Sequence, residues 1–159
     1  MVTKEQIDSI ALTMRQDWAV LSAGESGHYN AMTIGWAYFG CLWNIPSAMV
    51  FVRESRYTLE FLEKYDRFAI SFYPPEYHKA LITMGHKSGR NVDKAALTGF
   101  VPKFVEGSVT FEQACLTVIC RKMYSQWMDM SVFPSEVVER FYSKGNVHKM
   151  FAGQIVSIL

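Results

Sequence analysis

The sequence predicts a mainly β fold, a mostly antiparallel barrel with short helices in its connections. Three observations lead there. Six or seven runs rich in Val, Ile, Phe, Tyr and Thr read as strands. The helical runs between them are short and lack the regular alternation of equal units that a doubly wound parallel sheet requires. Finally, 159 residues, half of them hydrophobic, suffice for one core and predict a single domain over residues 1–159. Closure into a barrel is the simplest way for so strand-rich a chain to hide its edges.

The elements follow in order. Trp18 to Ala23 is a first strand, and the turn Gly24 to Gly27 returns the chain into a second, Tyr29 to Phe39. After a break at Asn44 to Pro46 comes a third strand, Ala48 to Arg53. Thr58 to Tyr65 is a short helix, and Arg67 to Tyr73 is a strand closed by Pro74 and Pro75. Glu76 to Met84 carries Tyr77, Leu81 and Met84 at helical spacing and stops at Gly85. Beyond the polar loop from His86 to Asn91, Asp93 to Leu97 is a further helical turn ended by Gly99. Strand character returns at Val109 to Phe111, Ala114 to Met123 and His148 to Leu159. Pro134 to Tyr142 reads as a helix with Pro134 or Ser135 at its start.

Composition removes several functions. The formal net charge is +1 with Lys and Arg evenly spread, so no basic face marks a nucleic-acid or membrane-surface binder. Any anion must be held by a few individual basic residues. The first residues lack the apolar run of a signal peptide, and no stretch reaches the roughly 18 apolar residues of a membrane span, which predicts a cytoplasmic protein. Cys41, Cys115 and Cys120 form no CxxC and are expected as reduced core residues.

GxSxG, GxxxxGK, HExxH and GxGxxG are all absent, and His28, His78, His86 and His148 lie in separate segments, a poor start for a metal site. Three polar stretches remain. Asn30 to Trp36 is a strand whose small residues let a flat ligand approach the backbone, although by itself it reads more readily as a plain barrel strand. Arg53 to Thr58, RESRYT, sits where a strand hands over to a helix. Its forked guanidinium donors match phosphate oxygens, although a solvated strand end accounts for them as well. Ser88 to Lys94 adds a hydroxyl, a glycine turn and two cations, and taken alone it is an ordinary exposed loop.

Together, in this order and spacing, these stretches resemble the flavin reductase-like family of FMN-binding split barrels, which includes flavoredoxin-like proteins. The resemblance runs from about Ala19 to Val101. It rests on NAMTIGW (30–36), WNIP (43–46), VRESRYT (52–58), FAISF (68–72) and HKSGRNVDK (86–94). It implies a six-stranded antiparallel split β-barrel that forms a homodimer, with FMN near the subunit interface. Asn30, Met32, Thr33, Ile34, Gly35 and Trp36 would line the isoalloxazine, with Met32 and Thr33 nearest the ring. Arg53, Ser55, Arg56, Tyr57 and Thr58 would bind the phosphate and ribityl chain. Ser88, Gly89, Arg90 and Lys94 would close over that end, and Glu54 would stay clear of it.

FMN is a planar ring tied to a dianion, so a narrow slot beside one concentrated donor cluster is what it needs. The implied activity is that of an FMN-dependent oxidoreductase, passing electrons from NADH, NADPH or another donor through the flavin to a small-molecule acceptor. The chemistry would belong to the flavin, which accounts for the missing catalytic motifs. The alternative is a flavin-binding electron carrier, or a storage or sensing module, without turnover; a related barrel with haem or no cofactor stands third. Past Val101 the resemblance is loose. Trp127, Met128, Met130 and Phe133 would suit an apolar lid, ordinary core packing accounts for them at least as well, and substrate choice is expected in this region. His148 is expected to be structural or solvent-facing, with a place on the substrate side of the flavin as the other reading.

Overall fold

The computed structural model describes residues 13–159, so the signal-peptide expectation lies outside the described residues. Among the described residues nine strands form one seven-stranded antiparallel sheet, in the order β2-β1-β5-β8-β9-β4-β3, and a separate β6-β7 hairpin. They are β1 (Ala19–Glu25), β2 (His28–Ile34), β3 (Ala37–Leu42), β4 (Ile45–Arg53), β5 (Arg67–Phe72), β6 (Pro102–Val105), β7 (Ser108–Phe111), β8 (Leu116–Trp127) and β9 (His148–Ile158). Helices Thr58–Lys64, His78–His86 and Lys94–Thr98 fill the connections. The antiparallel, helix-connected fold agrees with the sequence, and the main sheet holds seven strands where six were expected.

The extra strand comes from a break. The predicted strand Tyr29 to Phe39 is two strands, because the ladder stops at Gly35 and Trp36. Ala19 pairs with Ile34 on one side of the break, while Ala37 pairs with Val50 on the other. The two outer strands of the sheet, β2 and β3, are therefore consecutive in the chain and separated at this point, which is where the barrel is split. β3 and β4 form a hairpin whose central residues, Trp43 and Asn44, have φ of 55° and 59°. Positive φ at both central residues is the turn that matches strand twist, so the expected break at Asn44 to Pro46 is a hairpin turn and β4 starts at Ile45. β6 was not predicted: it is four residues long, starts at a proline and is tied only to β7.

Alternation divides the apolar residues between two cores. Leu21, Met32, Val50, Phe68, Ile70 and Phe151 point into the barrel. Val20, Ala31, Leu81, Met84, Phe100 and Phe111 pack outside it, beneath helices 78–86 and 94–98. β1 is covered on both faces, which is why it reads as an unbroken apolar run. Gly153 on β9 has no room for a side chain, since a Cβ there would lie 2.8 Å from Cys120 Cβ and from the Phe68 ring. Cys120 is buried as expected, whereas Cys41 and Cys115 are exposed, which corrects their assignment to the core. Among the described residues no helix is long and apolar enough to cross a membrane.

Candidate functional site

The strand-to-helix turn after β4 faces β2 and the loop that follows helix 78–86. Thr58 opens helix 58–64 and is buried, and its Oγ1 accepts a 2.8 Å hydrogen bond from Asn30 Nδ2. Gly89 brings the loop down onto the same asparagine. A Cβ on Gly89 would lie 2.1 Å from Asn30 Oδ1, closer than van der Waals contact allows, so any larger residue forces the loop or Asn30 to shift.

Between these segments is a crevice of about 60 Å³, lined by Asn30, Ser55, Arg56, Thr58, Lys87, Ser88 and Lys94 among others. At roughly 10–15 Å³ per water-sized group, that is the size of one phosphate. The lining is chemically one-sided. Arg56, Lys87, Lys94 and His86 contribute to it, and among the described residues no carboxylate does. Arg56 donates to Gly85 O at 2.8 Å, and Lys94 Nζ donates to Met84 O at 3.0 Å and to Ala31 O. Burial, and secondarily the charge of Arg56, push the Lys94 ammonium down to about 8. Two cations are thus held together without a counter-charge, an arrangement that a bound anion relieves.

Arg56 and His86 also border a second, wider cleft of about 320 Å³, walled by Trp18, Thr33, Gly35, Leu81 and Gly85. That is within the roughly 300–1,000 Å³ of small-molecule sites. Its floor is closely packed: the Thr33 hydroxyl donates to Leu81 O, and a Cβ on Gly85 would sit 3.2 Å from Thr33 Cβ. A narrow cationic crevice therefore opens onto a flatter, less polar slot, with Arg56 at the junction.

The structure gathers most of the sequence-predicted residues here. Asn30, Met32, Ser55, Arg56, Tyr57, Thr58, Ser88, Gly89 and Lys94 line the crevice, and Thr33 and Gly35 line the slot. Glu54 lines neither.

Four predicted residues are placed elsewhere. The Ile34 side chain is in the barrel core, one alternation beyond Met32. Trp36 lies past the break in the ladder, its ring 4.7 Å from that of His148. Arg90 turns outward, paired with Glu60 and 4.6 Å over the Tyr57 ring. Arg53, the last residue of β4, points away from the crevice and donates to Phe141 O at 3.1 Å and Asn146 O at 3.0 Å.

His148 is buried, with Nδ1 2.7 Å from the Tyr142 hydroxyl. It is not solvent-facing, in line with the structural half of the expectation. Burial, then Arg53 and Arg56, lower its pKa to about 4, so the ring is neutral at pH 7. Of the proposed lid residues, Phe133 packs 5.2 Å from Tyr142, while Trp127 ends β8 beneath Lys149. Sequence reasoning missed Lys87 and His86 as lining residues, although both stand in the quoted HKSGR stretch. It missed Trp18 as well, which reaches the slot from the start of β1 and left no signal.

The flavin reductase like domain family matches residues 12–158. The chain belongs to this family. A search of curated protein sequences finds no match, but solved structures agree in fold. Flavoredoxin from Methanosarcina acetivorans is 24% identical, with a TM-score of 0.70 over 90% of this chain and 67% of that one. An FMN-binding protein from Thermus thermophilus with bound p-hydroxybenzaldehyde is 22% identical, with a TM-score of 0.70 over 89% of this chain and 70% of its own. The styrene monooxygenase flavin reductase from Pseudomonas putida S12 is 17% identical, with a TM-score of 0.65 over 90% and 78%. These likenesses make the fold a flavin reductase-like split barrel.

Proposed function

We infer that this chain binds FMN and is an oxidoreductase of the flavin reductase-like type, moving electrons from NADH, NADPH or another donor to a small-molecule acceptor. The observation that carries the reading is the carboxylate-free crevice holding Arg56 beside Lys94, open to an adjoining slot. Its donor set fits a phosphate dianion, and the slot beyond Arg56 fits a planar ring system. When bound, FMN supplies the redox chemistry, accepting and releasing reducing equivalents.

The chain's own residues bind and orient. Arg56 and Lys94 provide charge-assisted donors to the phosphate, with the hydroxyls of Ser55, Thr58 and Ser88 completing its shell. Asn30, fixed by Thr58, holds β2 against the loop of Gly89. Thr33, Gly35 and Gly85 keep the slot floor low, so that a ring lies close to backbone, and Trp18 and Leu81 exclude water from its outer side.

The reading includes a second copy of the chain as partner. Among the described residues β3 is an outer strand of the sheet, and it and its hairpin turn expose Tyr38 and Trp43, an apolar edge that another chain would cover. It also places the protein in a reducing compartment such as the cytoplasm, since its three cysteines are unpaired.

The test is the absorption spectrum of the purified protein followed by an NADH and NADPH oxidation assay with free flavin or a quinone as acceptor. Flavin bands with turnover support the reading. Flavin bands without oxidation of either nucleotide replace it with an electron carrier, and a protein that takes up no flavin overturns it.

A further inference from the structure

Arg53 and the chain connecting β8 to β9 are knitted together by bonds that the flavin reading does not use. The Arg53 guanidinium makes three hydrogen bonds to backbone oxygens, two to Phe141 and one to Asn146. It lies 5.3 Å over the Tyr142 ring. Beside it, Ser55 N donates to Asn146 Oδ1 at 3.0 Å and Glu54 N donates to Val147 O at 3.0 Å. Both sides of the turn are thereby employed: Ser55 to Thr58 face the crevice, and Arg53 to Ser55 hold residues 141–147.

What the clasp holds is aromatic. Tyr142 is buried and bonded to His148. Trp36 lies against His148 on one side and meets Phe141 edge-on at 5.6 Å on the other. Trp36 and Phe141 remain 41% and 37% exposed, a large accessible area for two aromatic rings that already have packing partners. Trp36 directly follows Gly35, which lines the slot.

We propose that Arg53 is a positioning residue. By clamping the 141–146 backbone it sets Trp36 and Phe141 as an aromatic wall beside the slot, and that wall selects a planar aromatic second substrate. The selectivity half rests on the flavin reading above, while the clasp half stands on the chain alone. Such a wall favours flat rings by offset and edge-to-face contacts, and it discriminates only while its backbone is held in place.

The clasp is tested without flavin by limited trypsin digestion, because Lys144 within the clamped segment and Arg140 at its edge are exposed cleavage sites. Arg53→Gln should accelerate cleavage there by about tenfold or more through local opening, with the melting temperature reported alongside. An unchanged cleavage rate overturns the clasp.

Selectivity is tested by reducing the FMN-loaded protein with dithionite and following its reoxidation in stopped flow. Menadione takes up two electrons and two protons to become the hydroquinone, and ferricyanide takes up one electron per ion and is not planar. Arg53→Gln should slow reoxidation by menadione about fivefold, with less than about twofold change for ferricyanide and for FMN affinity. Phe141→Ala leaves the backbone oxygens of the clasp in place and should slow menadione alone, with unchanged trypsin resistance. Equal slowing of both acceptors, or no slowing in Phe141→Ala, overturns the wall. A loss of FMN affinity in Arg53→Gln as large as that in Arg56→Ala makes Arg53 a phosphate ligand and overturns its positioning role.

Discussion

Arg53 and Arg56 stand three residues apart in one short motif, yet the structure gives them to different regions. Arg56 closes the crevice against the loop after helix 78–86, where it shares a carboxylate-free pocket with Lys94. Arg53 spends its donors on backbone oxygens near residue 141. A cation with three hydrogen bonds already made to backbone oxygens on one side has fewer donors free for a ligand, whereas one beside another unpaired cation is stabilised by an anion's arrival. Donor density in a sequence therefore does not measure anion affinity; what the neighbouring segments already occupy decides it.

The largest expected effect that separates the two regions is on the Arg53 side, where His148 is held near pKa 4 against an ordinary value of 6.5. The folded state binds fewer protons than the unfolded one between those values. The neutral ring's contribution is thus fully present above about pH 6.5 and is lost as the pH falls through 6.5 to about 4. At 1.36 kcal/mol per pH unit the loss is on the order of 3 kcal/mol. Urea unfolding of wild type and His148→Asn at pH 7.5 and 4.5 measures it: the wild type should lose more stability over that interval, and parallel losses would remove His148 from the account.

On the Arg56 side, Arg56→Ala should weaken FMN binding by about 1.5 to 3 kcal/mol, the worth of a hydrogen bond to a charged group. Flavin fluorescence quenching reads this directly, and wild-type affinity in the variant would take Arg56 out of the site. Gly89→Ala tests the floor beneath it. Its methyl would collide with Asn30 Oδ1, so FMN affinity should fall by about 1 kcal/mol as the loop backs away from Thr58. Smallest of all, Arg90→Ala should change FMN affinity by less than about 0.5 kcal/mol, since its exposed pair with Glu60 contributes little. A larger loss would mean that Arg90 swings inward on binding.

The parts of this arrangement that were legible in the sequence are the local ones. Ser55 to Thr58 and Ser88 to Lys94 are short polar stretches bounded by strong strand and helix signals, so their juxtaposition required only the family's barrel. Ile34 went astray because the whole stretch from Asn30 to Trp36 was treated as one lining, although Ile34 turns into the barrel core, on the opposite face from Thr33, and the strand ladder stops before Trp36. Arg53 was illegible for a deeper reason. Its partners are main-chain carbonyls about 90 residues away, and a carbonyl leaves no mark in a sequence. The same holds for Trp18, whose place beside the slot follows from tertiary packing. β6 was missed because four residues beginning with proline carry almost no strand signal.

In the proposed complex the crevice at Arg56 holds the phosphate and the slot beside it holds the ring. Titration of the flavin-free protein with FMN and with riboflavin, which differ only in that phosphate, tests this placement most directly. Riboflavin should bind at least about a hundredfold more weakly, corresponding to the loss of one or more charged hydrogen bonds. Equal affinity for the two flavins would contradict it.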